Sequence, residues 1–153
     1  MTAIAGIRAA IVAELGRVPD IGQVLATRKN AAAPAELKAA FFHGGEVRAW
    51  IVSHTSLGSV SDTVGTVEDT HGWDIEGFVA FGDGSAGENT LDDLIEAIRR
   101  RFLATDLGIE GLTTVTETQA GIAVLDRQPV VLGRSGGVLC AYARLRLITR
   151  VEE

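Results

Sequence analysis

One cysteine in 153 residues, Cys140, leaves no partner for a disulfide within the chain, so a disulfide scaffold is excluded and nothing calls for an oxidising compartment. Its apolar surroundings suit a small buried thiol better than a nucleophile. Aromatic residues make up 5% of the chain, so the core has to be built from Ala, Val, Ile and Leu. No stretch approaches the roughly 18 apolar residues of a membrane-spanning helix. The N-terminus also lacks the basic and apolar regions and the cleavage site of a signal peptide, so a soluble, non-exported protein is expected. With this length the chain is expected to form one domain, 1–153, around one core.

Lysine and arginine are missing from residues 49–98, a stretch that holds Asp62, Glu68, Asp69, Asp74, Glu76, Asp83, Glu88, Asp92, Asp93 and Glu96. Toward the C-terminus the sign reverses. Arg127, Arg134, Arg144, Arg146 and Arg150 follow one another with no carboxylate before Glu152. The formal net charge of −6 conceals this split, which is the kind of asymmetry that marks interaction surfaces or two solvated faces.

Ile4, Ile7, Ile11 and Leu15 recur at helical spacing behind Thr2, and Gly16 and Pro19 end the pattern, predicting a helix over 3–15. A short strand is expected over 22–27, a brief helical or irregular turn over 35–42 after Pro34, and a strand over 46–54. Residues 55–72, rich in Gly, Ser and Thr, read as a long hairpin excursion or a mobile loop. Alternation around Trp73, Ile75, Val79 and Phe81 predicts the next strand. Thr90 and Asp93 resemble a capping box, opening a helix whose apolar face is Leu91, Leu94, Ile95, Ile98 and Phe102. Its end carries Arg99, Arg100 and Arg101, suited to the helix dipole. Short strands are expected at 112–118, 122–125 and 129–132, then a long closing strand. There Leu139, Ala141, Ala143, Leu145 and Leu147 form one face, and Tyr142, Arg144, Arg146 and Arg150 the other. The fold class is therefore α+β, with a single mixed or antiparallel sheet flanked by two main helices and a long β-hairpin or loop excursion.

Sites with chemistry are hard to assemble. His43, His54 and His71 show neither the i, i+4 spacing nor the Cys pairs of a zinc site. His71 near Glu68, Asp69 and Asp74 is a cation candidate on a loop, but a solvated acidic turn explains it as well. Asp62 and Glu68 lack an apolar pocket that would separate their proton affinities. The loop from Gly82 to Gly87 has no Gly-Lys-Ser/Thr end, and Asp83, Glu88, Asp92 and Asp93 would repel a phosphate. Arg134 to Gly137 reads as a hairpin turn. The basic closing strand lacks the interleaved exposed aromatics of a single-stranded nucleic-acid platform. No catalytic residue, metal or cofactor is expected.

The N-terminal helix from Ile4 to Leu15, the Gly22–Leu25 strand, the strands around Trp50 and Phe78 with their excursion, the Leu91–Leu103 helix and the closing strand from Tyr142 to Val151 follow an order of elements. That order resembles the tail terminator (tail completion) proteins of long-tailed bacteriophages and related tail-like elements, over nearly the whole chain and without a signature motif. The resemblance implies a homo-oligomer, a ring usually of six subunits, that caps the finished tail tube, stops its polymerisation and meets the head connector. Its partners would be other copies of itself, the tail tube protein and the head–tail connector protein. DNA would pass through the lumen without specific binding, no membrane would be involved, and the protein would reside in the host cytoplasm during assembly and in the neck of the virion tail. Arg144, Arg146 and Arg150 are then candidates for the subunit interface, facing a neighbour's carboxylates, and Asp62, Glu68, Asp69 and His71 for a loop toward the next ring or the lumen. Two other readings remain: another phage ring component, either tail tube or head–tail joining protein, and a small-molecule-binding or enzymatic α+β domain with Trp50, Trp73 and His71 near a pocket.

Overall fold

The computed structural model describes residues 3–26, 42–43, 46–61, 65, 67–80, 86–103, 112–114, 122–132 and 138–152. Helix α1, Ala3–Gly16, is apolar nearly all round, with Arg8 and Glu14 as its charged residues. Ile7, Ile11 and Leu15 are buried along it, on one stripe as the spacing predicts. A turn then brings Val18 and Ile21 into the core, held by backbone bonds from Arg17 N to Glu14 O and from Val18 N to Leu15 O. Asp20 and Gly22 both have positive φ in this turn. At Gly22 a side chain would also press within 2.7 Å of Arg48 Cγ, so glycine is required on two counts.

Strand β1, Gln23–Leu25, runs parallel to β3, Glu46–Ser61, and β2, Phe42–His43, pairs antiparallel with the start of β3. The turn expected over 35–42 lies outside the described residues apart from Phe42, which is in β2. Strand β4, Val67–Ala80, pairs antiparallel with β3 on one side and with β7, Val138–Glu152, on the other. The outer side of β7 is shared by β5, Leu112–Thr114, and β6, Ile122–Leu132. The result is an α+β fold with one mixed sheet in the path β1-β3-β4-β7-β5.

Both helices cover the same face of the sheet. Helix α2, Ala86–Leu103, buries Leu91, Leu94, Ile95, Ile98 and Phe102 against Ile75 and Val79 of β4 and Ala141, Ala143, Leu145 and Leu147 of β7. Helix α1 joins the same cluster beside Trp50, Val52 and Trp73. Trp50 fits because Gly77, its neighbour across β3 and β4, has no side chain: a Cβ there would come within 2.7 Å of the indole Cε3. Glu14 ties the two helices together, its carboxylate 2.6 Å from Arg101 Nε and 2.9 Å from Arg17.

Two elements depart from the sequence-based expectation. Helix α2 begins at Ala86, one turn before the capping box, so Thr90 lies inside the helix and is not its N-cap. Buried Gly87 extends the apolar stripe back from Leu91, and Glu88 supplies the acidic first turn. Strand β6 is continuous over the two short strands expected there, because Pro129 needs no ladder donor on the outer side of an edge strand. A register shift between Val124 and Asp126 takes up the irregularity. Of the two alternatives for the excursion, the structure has the hairpin: β3 runs on to Ser61 and β4 starts at Val67, the two paired. Among the described residues, nothing from Ser53 to Gly72 belongs to the hydrophobic core cluster. Consecutive side chains from Thr55 to Ser59 are exposed, with Leu57 at 52%. This distal part of the hairpin is called the arm below.

Candidate functional site

On the helix-covered face, a cluster of rings marks where the arm begins, with β4 still paired to β7 as far as Glu68. His54 of β3 stands opposite Trp73 of β4, and a register shift between His54 and Ser56 then sets Leu57 opposite His71. His71 shares a face with Trp73 two residues on, which sets it diagonally across from His54. His54 Nε2 lies 3.1 Å from His71 Nδ1, within hydrogen-bond distance. The edge of the His54 ring meets Trp73 with centroids 4.8 Å apart, and the Arg8 guanidinium of α1 sits 5.8 Å from the Trp73 ring. Behind them the Trp73 indole donates to Thr149 Oγ1 at 3.1 Å from β7.

Polar groups here are deeply placed. His71 is 2% exposed, and its Nε2 is buried without a hydrogen-bond partner. Burial holds His54 below the usual histidine proton affinity, and the neighbouring His71 and Arg8 push in the same direction. The sequence placed His71 on an exposed acidic loop, with a role toward the next ring or the lumen; it lies in a strand with its ring turned inward, because its position shares the face of Trp73. Its three expected acidic companions separate. Asp74 projects from the opposite face, Asp69 accepts a 2.6 Å hydrogen bond from Ser59 within the arm, and Glu68 pairs through its backbone with Val60 and Glu152. Asp62 lies outside the described residues. Among the described residues no three His, Cys, Asp or Glu side chains converge as a metal-ligand set.

The helix-free face carries the second constellation. Asp74 and Glu76 of β4 lie directly across from Arg146 and Arg144 of β7. Arg146 Nε donates to Asp74 Oδ1 at 2.9 Å, while Arg144 reaches both Asp74, at 3.6 Å, and Asp126 of β6, at 3.5 Å. Tyr142 Oη donates to Glu76 Oε2 at 2.7 Å, with its ring packed against Phe78. Both residues are 7% exposed. Asp74 and Glu76 of the acidic run and Arg144 and Arg146 of the basic run thus lie on neighbouring strands, and their charges meet within one chain. Arg144 and Arg146, expected to face a neighbour's carboxylates, are engaged by the chain's own. Arg150 lies farther along the same face, opposite Thr70.

A cleft of about 250 Å³ opens near the start of α2, lined by Glu88, Leu91, Arg127, Gln128, Pro129, Ala141 and Tyr142. Asp92 pairs with Arg127 beside it. Trp50, Trp73 and His71, which a ligand-binding reading would place at a pocket, are buried elsewhere and line no part of it. Cys140 is fully buried, with its thiol pushed up to about 11. Among the described residues no helix is long and apolar enough to cross a membrane. No protein-family model and no curated protein matches the chain.

Proposed function

We propose that the chain is a ring-forming assembly protein of a phage-type tail, acting as the terminator that caps the tube and joins it to the head connector. The observation that carries this is the arm. Strands β3 and β4 stay paired from His54 to the Ser61–Val67 end, with Thr55 to Ser59 of β3 exposed and no described residue of the stretch in the core cluster, while β4 also pairs with β7 from Glu68 on. An exposed strand segment with no share in the core cluster is suited to contacting another subunit. The resemblance in element order supplies the kind of partner: further copies of this chain and the tube.

Replacement of residues 57–70 by an Asn-Gly turn tests the role of the arm. The shortened chain is expected to fold while losing the ring, read as native mass by light scattering, and to leave tubes uncapped in an assembly reaction. A full-length chain that stays monomeric even on added tubes would overturn the proposal. Unlimited self-polymerisation would instead favour a tail tube protein.

A further inference from the structure

The ring cluster at the root of the arm holds a feature that neither the core nor the proposed assembly role uses. His54 and His71 come from the two strands of the hairpin, at the point where the register shifts and the exposed part begins. We propose that the His54–His71 pair is an acid-sensitive latch, closing the root of the arm while the pair shares one hydrogen and opening it when a further proton is taken up.

The hydrogen-bond arithmetic carries the proposal. Across the 3.1 Å separation one ring has to donate and the other accept. When His71 Nδ1 carries the hydrogen, His54 Nε2 accepts. A proton arriving at His54 Nε2 removes that acceptor and obliges His71 to move its own hydrogen to Nε2 if the bond is to survive. That atom is buried and meets no hydrogen-bond partner, so the alternative leaves an unsatisfied N–H in the interior. Protonation of both rings would set two cations in contact.

The surroundings do not relieve this charge. Of the described residues facing the pair, α1 contributes Arg8, a further cation, and β7 contributes Thr149, which is uncharged and already accepts from Trp73. On β4 the nearest carboxylate on that face is Asp69, two positions away and bonded to Ser59. The influences on His54 are burial, His71 and Arg8, all of which favour its neutral form. Because the folded state disfavours the proton relative to the unfolded chain, this contribution to stability is complete above about pH 6.5 and is lost as the pH falls through the lower folded value.

Amide hydrogen exchange on the full chain tests the latch, from about pH 7.5 to about pH 5 and corrected for the intrinsic rate. Protection of arm amides over residues 57–61 and 67–71 is expected to fall about tenfold or more, while amides of α2 keep theirs. His54→Gln keeps a side chain able to donate and accept but unable to titrate, so its arm protection is expected to stay flat across the same range. Imidazole nitrogen shifts give an independent measure, with His54 titrating below about 6.5 together with arm opening. Constant protection in the natural chain, or an equal fall in the His54→Gln chain, would overturn the latch. So would a Zn(II)-dependent rise in melting temperature that His54→Gln abolishes, which would make the pair a metal site. None of these readouts depends on what the arm docks against, so the ring proposal and the latch stand or fall separately.

Discussion

At the scale of single residues, packing and pairing set sharp tolerances. Gly77→Ala would drive a methyl into the Trp50 ring, which has no room to move because the indole is fully buried. An overpacked core of this kind costs about 1–3 kcal/mol, and a fall in melting temperature of several degrees is expected by calorimetry. Asp74→Asn removes the charge that two arginines share, although both guanidinium groups reach solvent and recover part of the loss. A destabilisation of about 1–3 kcal/mol in urea titration is expected. Arg144→Glu with Arg146→Glu would go further, setting two new carboxylates beside Asp74, Glu76 and Asp126. The double variant is expected to lose its cooperative thermal transition as a monomer, so a failure to assemble would say nothing about an interface. Cys140 is expected to resist alkylation near neutral pH until the chain unfolds, since burial both blocks the reagent and suppresses the thiolate. Mass spectrometry across a denaturant series reads this directly.

Elements are joined by few contacts of high consequence. Helix α1 carries two charged side chains, and each links it to another element: Arg8 to Trp73 of β4 and Glu14 to Arg101 of α2. Glu14→Gln keeps the shape and removes the charge, leaving Arg101 less well compensated where the helices meet. The expected loss is about 1–2 kcal/mol, with exchange protection falling in α1 before it falls in the sheet. The long strands behave differently. Strand β4 is buried on both faces from His71 to Val79, yet its sequence reads as alternating, because the helix-free face is closed by paired charges instead of apolar side chains. Periodicity therefore located the strand while concealing how deeply Asp74 and Glu76 are placed.

For the whole molecule, the decisive finding is where the opposite charges meet. With Asp74 paired to Arg144 and Arg146 across β4 and β7, those two arginines give little support to an electrostatic contact between copies of the chain. Under the proposal, assembly through the arm would instead present Thr, Ser, Gly and Leu57 to a partner. Its salt dependence should accordingly be weak. An association constant that changes less than about tenfold between about 0.05 and 0.5 M salt is expected by sedimentation. A steep decline with salt would return the interface to charged residues elsewhere.

Local rules were sufficient for much of the architecture. Helical spacing of Ile7, Ile11 and Leu15, the stripe from Leu91 to Phe102 and the alternation of the closing strand each depend on neighbours a few residues apart, which the sequence alone displays. It thus determined the fold class, the two helices, the closing strand and which of that strand's faces bears Arg144 and Arg146. Strand partnership was decided only in the tertiary structure, because hydrogen-bond register joins residues tens of positions apart and carries no local mark. The contact of His54 with His71 arises from the paired strands, as does the meeting of Asp74 with Arg146.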